Sequence, residues 1–274
     1  MGVSGPIRGL SSGPNIVQPP FMTSLPQRLF VAAGLAVVLA GTIRAAEPAI
    51  VAKARAYLGS DPALDGVTSI HFVGTLVTAD PAEPAKPIRQ AVEIIFQKPE
   101  QQRIQATSEQ TVEVTAIDGY EAWRRIEDAA DRSKWQQTLL GAEQIKHLRA
   151  NTWENLSFFR GLGRRGGQIE DQGPAAVDGI ACEKIAFIHG PNIVFYRFFD
   201  LATGRLVYTE TESGATMREQ GELRVAGVRF PKSLVQTSKE ANGLVQTVTI
   251  TFEKVMVNET FPASLFAMPP LSPR

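Results

Sequence analysis

From Ile70 to the C-terminus the chain reads as a ladder of short β-strands whose joints are mostly X-Gly pairs. The pairs are Asp118-Gly119, Asp178-Gly179, Thr203-Gly204, Ala226-Gly227 and Asn242-Gly243. Glycine has no Cβ, so it takes the positive φ of a tight hairpin turn without a clash. Several strands between these joints are apolar on both faces. A half-solvated antiparallel sheet needs only one apolar face. The pattern therefore calls for a mostly antiparallel sheet with cover on its second side, and it leaves room for an interior.

The 274 residues are 43% hydrophobic and 20% charged, which suits one large all-β or α+β domain behind any leader. Basic and acidic side chains balance at 28 each. The first 45 residues hold Arg8, Arg28 and Arg44 and no acid, so the remainder carries 25 against 28, a net −3. A body of that charge has no field for nucleic acid and none for an anionic membrane surface.

Leu29 to Ala40 is an apolar stretch of 12, preceded by Arg28 and followed by small residues up to Ala46. A positive flank, a short apolar core and a small-residue exit describe a secretory signal peptide, and hence a periplasmic destination. The stretch is short for a bilayer about 30 Å thick. Ile43-x-Ala45 and Arg44-x-Ala46 both fit a cleavage site, with Ala45 preferred because a branched aliphatic is better tolerated than Arg three places before the cut. Met22 would give a leader of ordinary shape. No cysteine follows the apolar core, and Cys182 is the only one in the chain. It sits in an apolar strand and is expected to be a buried core residue. These signals divide the chain into a 1–46 extension with signal peptide and a single 47–274 domain.

Along that domain, Ala49 to Leu58 predicts a short helix broken by Gly59 and Asp61-Pro62. Strands are expected at 70–78, 88–97, 102–108, 111–118 and 120–127, with a Pro-rich surface loop at Asp80 to Pro87. The period then changes. Leu140, Ile145, Leu148, Thr152, Leu156 and Phe159 predict an amphipathic helix within Gln137 to Phe159. A second strand run follows at 181–189, 193–200, 205–212, 217–225, 228–238 and 244–257. Pro262 to Pro270 reads as a helical turn that sets Leu265 and Phe266 on the sheet.

Chemistry-bearing motifs are absent or out of context. Gly161-Leu-Gly163-Arg-Arg-Gly166 matches G-x-G-x-x-G, but it follows a helix and leads into a strand, the reverse of a dinucleotide site. Its reading is a flexible connection with Arg164 and Arg165 in solvent. His71, His147 and His189 lack partners at metal-ligand spacing, and no G-x-S-x-G elbow occurs. No catalytic residue, cofactor or metal is therefore expected. Arg124 and Arg125 follow Trp123 on opposite faces, so only one points inward, where it needs a partner.

The order of elements is similar to that of a known group. The residues that carry the likeness are the signal peptide, AKARAYLG running into Ser69-Ile-His-Phe-Val-Gly-Thr-Leu, and Ile117-Asp-Gly-Tyr-Glu-Ala-Trp. They continue through Val177-Asp-Gly-Ile-Ala-Cys-Glu-Lys-Ile, Asp200-Leu-Ala-Thr-Gly-Arg-Leu, Gly227-Val-Arg-Phe-Pro and Phe261-Pro-Ala-Ser-Leu-Phe. The chain resembles the LolA/LolB-like superfamily of exported lipid- and lipoprotein-binding proteins. That resemblance implies an α+β fold, a strongly curved antiparallel sheet (an incomplete barrel) whose concave face is covered by helices. It also implies a non-enzymatic, monomeric carrier or sensor holding lipid or lipoprotein acyl chains.

Phe72, Phe96, Trp123, Phe195 and Phe199 are the candidate cavity residues, each also readable as ordinary core. The rival expectation is a regulatory module of the same fold that binds envelope proteins along a sheet edge and holds no lipid.

Overall fold

The computed structural model describes residues 47–79, 86–239 and 243–270. The expected signal peptide, most of the Pro-rich loop and Asn242 lie outside the described residues.

A first meander comprises β1 (Ser69–Ala79), β2 (Ile88–Gln97), β3 (Gln101–Thr107), β4 (Thr111–Asp118), β5 (Glu121–Asp128) and β6 (Trp135–Leu139). Three helices accompany the strands: α1 (Ala49–Leu58), α2 (Asp61–Asp65) and α3 (Ala142–Ser157). The second run is β7 (Gln168–Val177), β8 (Ile180–Gly190), β9 (Ile193–Asp200), β10 (Leu206–Thr211) and β11 (Thr216–Gln220). It continues as β12 (Leu223–Val225), β13 (Val228–Phe230), β14 (Ser233–Lys239) and β15 (Val245–Val257).

Thirteen of these strands form one antiparallel sheet in the order β6-β5-β4-β3-β2-β1-β15-β14-β11-β10-β9-β8-β7, while β12 and β13 pair separately. The edges β6 and β7 do not pair, so the sheet is open. Its centre is the seam between β1 and β15, which runs from Ile70 opposite Val257 to Ala79 opposite Thr247. The chain is thus α+β, dominated by antiparallel strands.

The expected turns are present. Asp178-Gly179 and Ala226-Gly227 have positive φ at both residues (50° and 80°, 51° and 80°), the geometry that matches the right-handed twist of a two-residue hairpin. Helix α1 has the expected limits, but Asp61-Pro62 does more than break it. Ser60 Oγ accepts from the Ala63 N–H (3.4 Å), and the proline stands at the start of α2, where its missing N–H costs nothing.

Three expectations need correction. The predicted strands 217–225 and 228–238 are each split: Gly221 turns the chain at φ 64°, Pro231 donates no ladder hydrogen bond, and the hairpin between them leaves the main sheet. The amphipathic segment starts as β6 and becomes helical at Ala142, where Gln144 Oε1 accepts from the Gly141 N–H (3.0 Å). Arg165 is not free in solvent, because it is ion-paired with Glu100.

Directly paired residues share a face of a sheet. One face therefore carries the row Phe72, Ile94, Ile104 and Thr115, and the row Leu76, Ile250, Leu234 and Glu219. The opposite face carries His71, Ile95, Arg103, Ala116 and Trp123.

Helix α3 reveals the curvature. Strands β3 and β9 stand seven places apart in the sheet, about 34 Å if it were flat. Yet Thr152 Oγ1 donates to Gln102 Oε1 on β3 (3.0 Å), and Glu154, two residues on, accepts from Arg197 on β9 (2.5 Å). One helical turn touches both strands, so the sheet is rolled into a deep trough.

Candidate functional site

The interior is hollow. An apolar cavity of about 260 Å³ is lined by α1, α3, the β12–β13 hairpin and strands from both halves of the sheet. Packed interiors rarely hold voids much larger than one water, whose share of liquid volume is about 30 Å³. A larger recess of about 810 Å³ beside Glu100, Arg149 and His189 is an open polar cleft at the surface. The smaller, apolar space inside the trough is the better candidate, because shape and lining together decide what binds.

Aromatic rings build much of the wall. Phe72 meets Phe252 at 4.5 Å, Phe230 at 5.8 Å and Phe96 at 6.5 Å between centroids, the last two edge to face. Phe72, Phe96 and Phe195 all line the cavity. Phe199 does not; it is fully buried behind it, against Phe159 and Phe187. Trp123 points to the other face, packs with Val112, Val114 and Ala116, and donates Nε1–H to the Phe266 carbonyl (2.9 Å). Phe266 is itself buried and Leu265 partly so, so the C-terminal turn rests on the sheet as expected, and the Trp123 contact puts it on the face opposite the cavity. Cys182 is buried, and burial followed by the nearby Asp200 carboxylate pushes its thiol pKa up, which disfavours the nucleophilic thiolate.

Two ionic clusters tie the helices to the rest of the fold, one buried and one in which buried Arg55 reaches exposed carboxylates. Glu154 on α3, its side chain 2% exposed, accepts from Arg197 Nη2 (2.5 Å) and faces His189 Nε2 (2.6 Å). The Arg197 guanidinium also lies over Phe159 at 5.0 Å, and its Nε has no partner among the described residues. Buried Arg55 on α1 donates to the Phe158 carbonyl (2.8 Å) and the Ser157 carbonyl (3.2 Å), serving the unpaired C-terminal carbonyls of α3. Its other nitrogens reach Asp61 (2.7 Å) and Asp65 (3.1 Å). Midway along α3, Arg149 grips Glu100 through two hydrogen bonds (2.9 and 3.0 Å). Of the adjacent pair on β5, Arg124 lies on the cavity face but is half exposed and paired with Glu113 (2.7 Å).

Glu219 is the unusual member of the wall. It stands opposite Leu234 in the row that runs on to Ile250 and Leu76, and it lines the cavity. Among the described residues its carboxyl makes no hydrogen bond or ion pair. Its side chain is partly buried, set in the wall of the cavity with protein packed closely round the carboxyl. Burial raises its pKa above the ordinary 4.5, and the charges of Arg197 and Arg205 only partly oppose this.

A raised carboxyl pKa means that the native state keeps a proton that the unfolded chain gives up above pH 4.5. Stability from this group therefore falls as pH rises from that value through the folded pKa, and is level above it. Glu219→Gln is expected to remove that slope and to be more stable than wild type at pH 8. Urea unfolding of both proteins from pH 4 to pH 8 measures it; parallel profiles would rule out a protonated, buried Glu219.

Tyr57, Leu58 and Arg229 line both the cavity and a cleft of the surface beside α1. Arg229 stacks on Tyr57 (4.6 Å) and pairs with Glu222 (2.5 Å). One layer of side chains thus separates interior from solvent there. The phenylalanines were visible as candidates in the sequence, whereas Glu154, Arg197 and Glu219 carried no local signal.

Comparison with solved structures gives the fold a relative. A LolA superfamily protein of Nitrosomonas europaea superposes with a TM-score of 0.52 at 10% identity, covering 80% of this chain and 96% of that one. The fold is LolA-like. A DUF1329 family protein of Desulfovibrio piger has the same TM-score, identity and coverage. A domain named for outer membrane lipoprotein sorting, from Vibrio parahaemolyticus, gives a TM-score of 0.50 at 7% identity, covering 80% of this chain and 94% of its own. No family model matches the sequence, and no curated protein matches it.

Proposed function

We propose that this protein is an exported, non-enzymatic carrier or sensor that holds a lipid or lipoprotein acyl chain in the trough. In this reading the helices close the concave face of the LolA-like sheet, residues 47–274 act as one monomeric domain, and the 1–46 extension carries the signal peptide to the periplasm. The observation that carries the reading is the unfilled apolar cavity inside the trough, walled by Phe72, Phe96 and Phe195. Each CH₂ moved from water into such a space gains roughly 0.8 kcal/mol. The thin partition at Tyr57 and Arg229 gives a chain a short way in.

Native mass spectrometry of the gently purified protein is expected to show bound lipid. The neutral dye N-phenyl-1-naphthylamine is expected to brighten in the lipid-stripped protein. Phe195→Asp puts a carboxylate in the apolar wall and should weaken the dye by more than about tenfold, since a charged group there must lose water for the dye to enter. Absence of lipid and dye uptake from a folded wild-type protein would overturn the carrier. The sheet edges β6 and β7, which have no further strand beside them among the described residues, favour a second reading, a regulatory module that takes an envelope protein's strand there. Protein partners in pull-downs from a lipid-free protein would support it.

A further inference from the structure

A cavity that served only as a greasy sleeve would have no use for a carboxyl group in its wall. Glu219 occupies a position where register and neighbours call for an aliphatic residue: Leu234 is its direct cross-strand partner, and Ile250 and Leu76 continue the row. An unpaired polar group in such a place costs stability. The sequence offers partners that the fold does not use. Arg197 lines the same cavity but spends its Nη2 on Glu154, and Arg229 is paired with Glu222. The carboxyl is therefore left for something that enters the cavity.

The surroundings decide which chemistry suits it. Arg197 and Arg229 belong to the cavity lining, and Arg205 stands near enough to act on Glu219 electrostatically. A cationic head would meet these guanidiniums and would also have to shed its water. Burial favours the protonated form of the Glu219 carboxyl, and in that form it has an O–H to donate and a carbonyl to accept. That pair of functions complements an uncharged oxygen, not an ammonium.

We infer that Glu219 is the polar anchor of the cavity, and that it recognises a single-chain amphiphile through an uncharged acceptor oxygen on the chain, such as an ester or amide carbonyl. The inference rests on the carrier reading and adds the head-group chemistry. A cavity of about 260 Å³ fits one modest chain rather than several. The chain would lie against Phe72, Phe96 and Phe195, with its oxygen at Glu219.

Displacement of N-phenyl-1-naphthylamine from the full-length protein by methyl decanoate and by decylammonium tests this, with Glu219→Gln and Glu219→Leu beside wild type. Leucine suits the aliphatic row, so this variant is expected to fold, and circular dichroism with thermal melting checks both variants. Wild type should prefer methyl decanoate over decylammonium. Glu219→Gln keeps an N–H donor and should bind the ester within about threefold of wild type. Glu219→Leu should lose about tenfold on the ester, the usual result when a polar group is buried without its partner, while binding the dye normally. Equal or tighter ester binding by the leucine variant would overturn the anchor and leave the carrier standing. A wild-type preference for decylammonium would overturn the neutral head group. Dye binding with no displacement by either chain would overturn the anchor too, whereas failure to bind any of the three would remove the carrier reading itself.

Discussion

Glu154→Ala should lower stability by about 3–5 kcal/mol, the usual cost of removing one member of a buried ion pair. The side chain is 2% exposed and is the shared acceptor for Arg197 and His189, which are themselves 11% and 9% exposed. Alanine would leave the guanidinium buried over Phe159 and Phe187 without the carboxylate it pairs with. It would also cut the tie between α3 and the second half of the sheet. Glu154→Gln keeps a hydrogen-bond acceptor and should cost less. Urea unfolding midpoints at unchanged slope measure both effects, and a loss below about 1 kcal/mol for alanine would mean that Arg197 finds water or another partner.

The second large effect comes from adding one methyl group to the seam. A Cβ on Gly74 would lie 2.1 Å from the Thr251 carbonyl oxygen, 2.9 Å from its carbon and 3.0 Å from the Phe252 Cα. All three are backbone atoms, so no side chain can swing away. Gly74 sits where the register between β1 and β15 shifts, and the bulge lets the two backbones approach. Gly74→Ala must push the strands apart at the junction of the two sheet halves, at a cost of about 3 kcal/mol or more. Gly119→Ala is the control. Its Cβ would meet nothing within 4 Å, although φ is 61°, so only the backbone penalty of about 1–2 kcal/mol applies. Similar losses for the two variants would show that the seam relaxes.

The turns, most of the strands and α1 were legible in the sequence, because each rests on local chemistry: a glycine after a turn-forming residue, a period of two, a period near 3.6. Strand β6 was not legible. Trp135–Leu139 is short and polar, and it runs directly into an amphipathic helix whose period masks it. The site was legible only in part, for a different reason. Alternation tells which residues share a face but not which face becomes concave. Phe72 and Trp123 are equally good cavity candidates until the sheet rolls, and the roll puts them on opposite sides. Glu219 lies in Met-Arg-Glu-Gln, a run that reads as a solvated strand. Its isolation follows from Leu234 and Ile250, which are distant in sequence and close only through register.

The central seam also governs when the container comes into being. Among the described residues β1 is the first strand and β15 the last, and they are neighbours in the middle of the sheet. The first meander can pair with itself as soon as it has been made. The trough has no second wall until Val257 has left the ribosome, because β14 and the strands beyond it reach β1 only through β15. Until then the inner faces of both halves stand open to water, and the cavity between them does not exist. The cavity is thus a property of the finished fold, and a product truncated before β15 would expose both apolar inner faces without enclosing anything between them.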